Sequence, residues 1–288
     1  MIASPTGNNV HVNSEKFKFF NHYEKMIDDN EIEYEKKFMF KEINEENELL
    51  QMFALRYLVY RYVNFIERNK DQLDIDCFDL YSTFLGAFEV TGKTKRLIGT
   101  VRIINRDEES PYEEVIKELF KNMCSHKLSS LLNRPTFFPS METFNIPKEY
   151  LDTFCIDKNK HQNNFPEKNS KPFEISRLAI LPEYWGSKAK IETGLHDLII
   201  LDSWKSNPKK NIYIIATNPR TRRKYEKLGF RIIPGTKERL YKSLKQLAIA
   251  MMMNLENYLN TPNPYSERCK SLFKSFSEKG YFLRNPTF

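Results

Sequence analysis

Several residues in this chain are of types that do chemistry together, and they recur in short groups. Arg56 and Tyr60 stand four apart in an apolar stretch. Asp71, Asp74, Asp76 and Asp79 crowd a nine-residue acidic segment, DQLDIDCFD. Arg102 closes an apolar run, and Glu174, Ser176 and Arg177 lie within four residues of each other. A carboxylate cluster of this kind holds an ammonium group, pairs with arginines such as Arg56, Arg102 and Arg177, or simply faces solvent. Its spacing lacks the glycine and terminal glutamate of a calcium loop, so no metal is expected. Glu174 is a candidate base or amine-orienting carboxylate, against the alternative of a salt-bridged surface residue. A guanidinium at Arg102 suits a carboxylate partner. Buried pairs of this sort are weak stability devices, so a group of them points to function.

These residues need elements to position them. NEENELLQMFALRYLVYRYVNFIERN (44–69) carries apolar residues at helical spacing, with Asn44 as a plausible N-cap. STFLGAFEVTG (82–92) and RLIGTVRII (96–104) read as a hairpin turning at Thr91-Gly92-Lys93. EEVIKELFKNMC (113–124) reads as a helix inside an irregular insertion of about residues 105–172. PFEISRLAIL (172–181) reads as a strand ending at Pro182, and a regular strand points Glu174 and Arg177 to opposite faces. Both serve one site only if a bulge intervenes or one acts at a distance. Then come a helix (192–206), an apolar strand (211–218), a short helix (219–229) and a strand (230–235). Residues 237–283 read as two helical segments split by TPNPYS, and 39–43 as a short strand after a polar arm. The pattern is α+β: one central twisted mixed sheet flanked by helices. The division is an arm (1–38), a catalytic domain (39–236) and a helical extension (237–288).

Composition narrows the class. The chain has 288 residues, 40% apolar and 14% aromatic, with a formal net charge of +7. That supplies a sizeable core and excludes a disordered chain. Nine glycines, about half the average share, argue against a protein built on several glycine-rich phosphate loops. Gly92, Gly99, Gly186, Gly194, Gly229 and Gly235 fall at expected turns or helix ends. The four cysteines (77, 124, 155, 269) form no C-x-x-C pair, which suits reduced cytoplasmic thiols. No secretory signal and no transmembrane segment are expected. The positive charge suits an acidic partner or an ordinary solvated surface. No recognised motif supports nucleic-acid binding.

The stretch NIYIIATNPRTRRKYEKLGFRII, with Asn218, Tyr225, Gly229 and Phe230, resembles the end of the GCN5-related N-acetyltransferase (GNAT) fold. Leu55-Arg56-Tyr57-Leu58-Val59-Tyr60, Asp76-Cys77-Phe78-Asp79, Gly99-Thr100-Val101-Arg102 and Glu174-Ile175-Ser176-Arg177 follow in the order of its autoinducer synthase branch. That branch includes acyl-homoserine-lactone synthases and long-chain N-acyl amino acid synthases, and the chain also resembles exosortase-associated acyltransferases. The 72 positions between Arg102 and Glu174 favour the N-acyl amino acid or exosortase-associated type. A tryptophan of the lactone synthases has no counterpart, Phe65 being the nearest aromatic.

The resemblance implies a cytoplasmic N-acyltransferase with a GNAT-like (acyl-CoA N-acyltransferase) fold. It would move a fatty acyl group from an acyl carrier protein's phosphopantetheine, or from acyl-CoA, to the amine of an amino acid or related metabolite. The alternatives are a quorum-sensing autoinducer synthase using S-adenosylmethionine, or an acetyl-CoA-dependent N-acetyltransferase. It implies catalytic roles for Glu174, Arg102 and Tyr225, the last protonating the leaving thiolate or else packing on the sheet. Arg56, Tyr60, Asp76, Asp79, Ser176 and Arg177 would shape the substrate site. Gly186, Lys188, Lys190 and Asn218 would hold the donor. The donor loop PEYWGSKAKIETG is thin in glycine and rich in lysine, with Arg220, Arg222, Arg223, Lys224 and Lys227 nearby, which suits an acidic carrier protein. Phe137, Phe138, Phe144, Tyr150 and Phe154 line an acyl tunnel or build plain core.

Overall fold

The computed structural model describes residues 36–105, 110–123, 138–146, 171–187, 189–206, 211–241 and 245–285. Strand β1 (Lys37–Glu42) leads to helix α1 (Glu46–Tyr62). Its N-cap is Glu45, without a side-chain cap. Asn44 accepts instead from Lys41 Nζ at 2.9 Å, so the expected cap is corrected. A 3-10 turn (Cys77–Tyr81) precedes β2 (Ser82–Thr91) and β3 (Thr94–Asn105). These form the expected hairpin, closed at Gly92 with φ +56°. Helices α2 (Glu113–Met123) and α3 (Pro139–Phe144) follow, then β4 (Lys171–Ile180), α4 (Ile191–Ser206) and β5 (Asn211–Thr217). The 219–229 segment is a 3-10 turn (Pro219–Thr221) with Pro at its start, running into α5 (Arg222–Lys227). β6 is only Arg231–Ile232.

The C-terminal region departs from the helical reading. It contains β7 (Arg239–Tyr241), β8 (Gln246–Asn254), α6 (Leu255–Asn260), α7 (Pro264–Lys279) and β9 (Tyr281–Arg284). The sheet order is β6-β8-β5-β4-β3-β2-β1-β9, with β7 paired to β8. The C-terminal residues thus supply an inner strand and an edge strand of the same sheet rather than a helical extension. LAIAMMMN is apolar on successive residues because β8 is buried between β5 and β6. Of these pairings β4 with β5 is parallel and the others are antiparallel.

Helices α1 and α4 cover opposite faces. Phe40, Ala87 and Gly99 are successive cross-strand partners, and an added Cβ on Gly99 would meet Ile191 of α4 at 3.2 Å. A Cβ on Gly194 would come within 2.1 Å of the Phe40 ring. These two glycines serve close packing of α4 on the sheet, not a turn or helix end. One residue out of phase, Phe84 faces the other way and meets Phe53 of α1 edge-on at 5.9 Å. Arg102 is the register partner of Phe84, so it too faces α1. Phe138 and Phe144 pack with Ile104 and Ile214 in a second apolar cluster on that face. Phe137, Tyr150 and Phe154 lie outside the described residues.

Candidate active site

The acid–arginine groups converge between α1 and the sheet. Arg56 on α1 is fully buried. Its Nε donates to Asp74 Oδ2 at 2.9 Å, and its terminal nitrogens donate to Asp79 at 2.8 and 3.3 Å. Asp79 is held by a reciprocal cap across the 3-10 turn. Asp76 N donates to Asp79 Oδ2, and Phe78 N donates to Asp76 Oδ1. Arg102 on β3 donates to Asp76 and Asp79 at 2.5 and 2.8 Å, and to Ser176 Oγ at 3.0 Å. Arg177 on β4 donates to Asp76 Oδ2 at 2.9 Å, with Nε 3.2 Å from Asp74 Oδ2. The Arg177 guanidinium lies 5.5 Å from the centre of the Tyr60 ring. Burial pushes the Tyr60 hydroxyl up to about 12. Burial opposes ionisation of Asp76, but Arg102, Arg177 and Arg56 outweigh it and hold that carboxyl well below the usual range.

A bulge explains how Glu174 and Arg177 reach one face. Thr100 pairs with Ala179, and Arg102 pairs with Ser176. Two steps along β3 therefore match three along β4. The extra residue sits at Arg177, whose φ is +54°. It resets the alternation, so Glu174, Ser176 and Arg177 all face α1. This is the condition that the i, i+3 spacing demanded.

Glu174 is 1% exposed. Its Oε2 accepts from Ser140 N at 2.9 Å and Ser140 Oγ at 2.5 Å, both at the start of α3. Burial raises its carboxyl to about 7 against the partial relief from Ser140. Glu174, Asp76, Arg102 and Arg177 line one cavity of about 150 Å³. Tyr241 and Gln246 form another wall, from the β7–β8 hairpin. Burial and the nearby Glu174 raise the Tyr241 hydroxyl far above its usual value, so it stays protonated. Ser140, Tyr241 and Gln246 carried no local sequence signal.

A second cavity lies farther along β4. The parallel register with β5 runs from Lys171↔Asn211 to Ile175↔Ile215 and ends there, while both strands continue. The strands part beyond Ile175, one residue past Glu174. Leu178 and Ile180, beyond that point, line a cavity of about 370 Å³ with Trp185, Gly186, Lys190 and Lys224. Gly186 has φ +65° with open space where a Cβ would stand. Lys190 immediately precedes α4, whose positive helix end faces this loop. Lys224 of α5 pairs with Glu192 in the first turn of α4. Arg220, Arg222, Arg223 and Lys227 are exposed beside it.

The expected donor residues therefore separate. Gly186 and Lys190 belong to the second cavity, whereas Asn218 lines the first and contacts Gln246 at 3.4 Å. Lys188 lies outside the described residues. Tyr225 is not brought to Glu174. It is 2% exposed and packed edge-on against His196 and Phe230, and burial with the nearby Glu192 raises its hydroxyl well above the usual value. Among the described residues no group of three or more His, Cys, Asp or Glu is arranged to hold a metal. No helix among them is long and apolar enough to cross a membrane.

The acetyltransferase (GNAT) domain family model matches residues 55–144, the stretch that carries Arg56, Tyr60, Asp76, Asp79 and Arg102. No curated protein matches the chain. Among solved structures the chain is similar to FeeM, an N-acyl amino acid synthase from uncultured soil microbes. The identity is 15% over 77% of this chain and 92% of that one, with a TM-score of 0.47. It is also similar to BjaI, a CoA-dependent acyl-homoserine lactone synthase solved with SAM and isopentyl-CoA. There the identity is 14% over 81% and 99%, with a TM-score of 0.46. The AHL synthase LasI gives 13% over 77% and 91%, with a TM-score of 0.39. The fold is GNAT-like, and the matched domain is that of an acyltransferase enzyme.

Proposed function

We propose that the chain is an N-acyltransferase that moves a fatty acyl group from a thioester to the amine of a small amino acid or related metabolite. One observation carries this reading: Glu174, a buried carboxyl near neutrality, stands one residue before β4 and β5 part. An amine attacks only when neutral. It enters the first cavity as an ammonium facing Asp76, which stays ionised. Glu174 takes the proton, and the nitrogen attacks the thioester carbonyl lodged between the strands. The C–N bond forms, the C–S bond breaks, and the proton that the attacking nitrogen then sheds goes to the leaving thiolate, giving a thiol, while Glu174 releases its proton to solvent. Backbone N–H groups of β4 beyond Ile175, released from pairing with β5, supply donors for the oxyanion.

The second cavity suits the arm of the donor, its phosphates against Lys190 and the start of α4. The exposed arginines of α5 favour an acidic carrier protein over free acyl-CoA as the source of that arm. A cavity of about 150 Å³ suits a small amine better than S-adenosylmethionine, since one of that size holds about a benzene ring. Free Cys77 and Cys269 fit a reducing cytoplasm.

The test is mass spectrometry of lipid extracts from an expressing host, with thiol release measured from acyl-carrier and acyl-CoA donors. An N-acyl amino acid absent from a Glu174→Gln host is expected. A lactone product, or full turnover in that variant, overturns the reading.

A further inference from the structure

We propose that Tyr241 and Gln246 of the β7–β8 hairpin bind a carboxylate on the amine substrate, so that the chain takes amino acids and rejects amines without one. This role rests on the acyl transfer proposed above and defines which amines enter it. Tyr241 and Gln246 are direct cross-strand partners, and both line the cavity of Glu174. The Tyr241 hydroxyl has no hydrogen-bond partner among the described residues, and it stays protonated, so it is a donor. The Gln246 amide is oriented by a relay. Arg220 N donates to Asn218 Oδ1 at 2.9 Å, which leaves Asn218 Nδ2 to donate to Gln246 Oε1 at 3.4 Å. Gln246 Nε2 is therefore the free end of the amide, and it can only donate. Arg177 lines the same cavity. Its Nη2 is taken by Asp76, and its Nη1 has no partner among the described residues.

A guest for this wall must accept hydrogen bonds and offer none. An ionised carboxylate does so, with two oxygens to share. Charge points to the same guest. Arg56, Arg102 and Arg177 are balanced by Asp74, Asp76 and Asp79, with Glu174 near neutrality. A bare ammonium would leave this buried wall with excess positive charge, whereas an amino acid zwitterion brings its own anion. Its ammonium meets Asp76, and its carboxylate meets Tyr241, Gln246 and Arg177. An amine lacking the carboxylate leaves those donors unpaired, and that cost is what rejects it.

The experiment compares glycine, alanine and serine with glycinamide, alaninamide and serinamide on the full chain. Calorimetry reads binding, and thiol release from a long-chain acyl-carrier thioester reads transfer. The amides have less basic amines, so weak turnover with them reports the missing carboxylate and not the chemistry. The kcat/KM for the acids should exceed that for the amides by about 10²-fold. Tyr241→Phe should lower that ratio about tenfold. Gln246→Glu keeps an oxygen to accept from Asn218 but turns a negative charge on the cavity, and should lower the ratio about 10²-fold. Both losses should fall on the KM of the amino acid, with the KM of the donor unmoved. Circular dichroism checks that each variant is folded. Amides that bind and react as well as the acids overturn the proposal, as does a ratio unchanged in both folded variants. A rise in the donor's KM in place of the amine's also overturns it, because the hairpin would then hold the thioester arm. A chain that transfers no acyl group refutes the reaction alone. Calorimetry then decides the carboxylate site: acids bound with amides excluded support it, and acids left unbound refute it.

Discussion

Replacing Glu174 by Gln should stabilise the protein and disable it. The amide keeps an oxygen to accept from Ser140 N and Oγ, and it imitates the protonated carboxyl. Burial raises Glu174 from 4.5 to about 7 in the fold. Between those values the folded chain retains a proton that the unfolded chain has released. The folded state binds more protons, so stability falls as pH rises through this window. At about 1.4 kcal/mol per unit of difference, the loss is complete above pH 7 and amounts to about 3 kcal/mol. The Gln variant does not titrate and escapes that loss. Urea unfolding of both proteins from about pH 5 to about pH 8 reads the difference, in which other titrating groups cancel. The two stabilities should converge on the acid side, with the variant ahead by about 3 kcal/mol on the alkaline side. Turnover should drop by about 10²–10⁴-fold, and the wild-type activity limb centred near 7 should vanish. Parallel stability curves would refute the reasoning, because Glu174 would then have no raised pKa to relieve.

Asp79→Asn removes a fully buried carboxylate bonded to both Arg56 and Arg102, and should cost about 3–5 kcal/mol in urea unfolding. Asp76→Asn leaves an uncompensated positive charge beside Glu174, so the midpoint of the rate–pH profile should move below 7. Tyr225→Phe removes a hydroxyl near Glu192 from a buried ring. It should cost about 1 kcal/mol in unfolding experiments and reduce turnover by far less than the ~10²-fold owed to a lost general acid.

The central elements were legible because each carries its own pattern. The hairpin, β4, α4 and β5 have the lengths and flanking turns that their sequences indicate. β8 was not legible, because an unbroken run such as LAIAMMMN fits a buried strand and a buried helix equally well. Its place between β5 and β6 decides the matter, and that is a long-range fact. The site divides along the same line. Arg56, Asp76, Asp79, Arg102, Glu174 and Arg177 stood out by charge in apolar surroundings. Ser140 comes from a six-residue helix in an irregular stretch, and Tyr241 from a three-residue strand. Neither has a local pattern, and both gain meaning only from the cavity that they share with Glu174 or support it in. Tyr225 shows the converse: its helix is where the sequence put it, but its side chain turns into the core.

The balance of charge explains why two nearby carboxyls differ so much. Arg56, Arg102 and Arg177 are matched by Asp74, Asp76 and Asp79, each arginine bridging two of the aspartates and each aspartate two of the arginines. Seen from Glu174, the pull of Arg102 is opposed by the repulsion of Asp76, so burial dominates. With fewer aspartates the arginines would fix Glu174 as a permanent carboxylate, too weak a base to deprotonate an amine. With fewer arginines Asp76 would lose the partners that keep it ionised. Asp76 is also the most exposed of the three aspartates, with 26% of its side chain open, so it is the anion that an entering ammonium meets. One carboxyl held as an anion and its neighbour poised near neutrality divide the work: the first binds the charged amine and the second takes its proton.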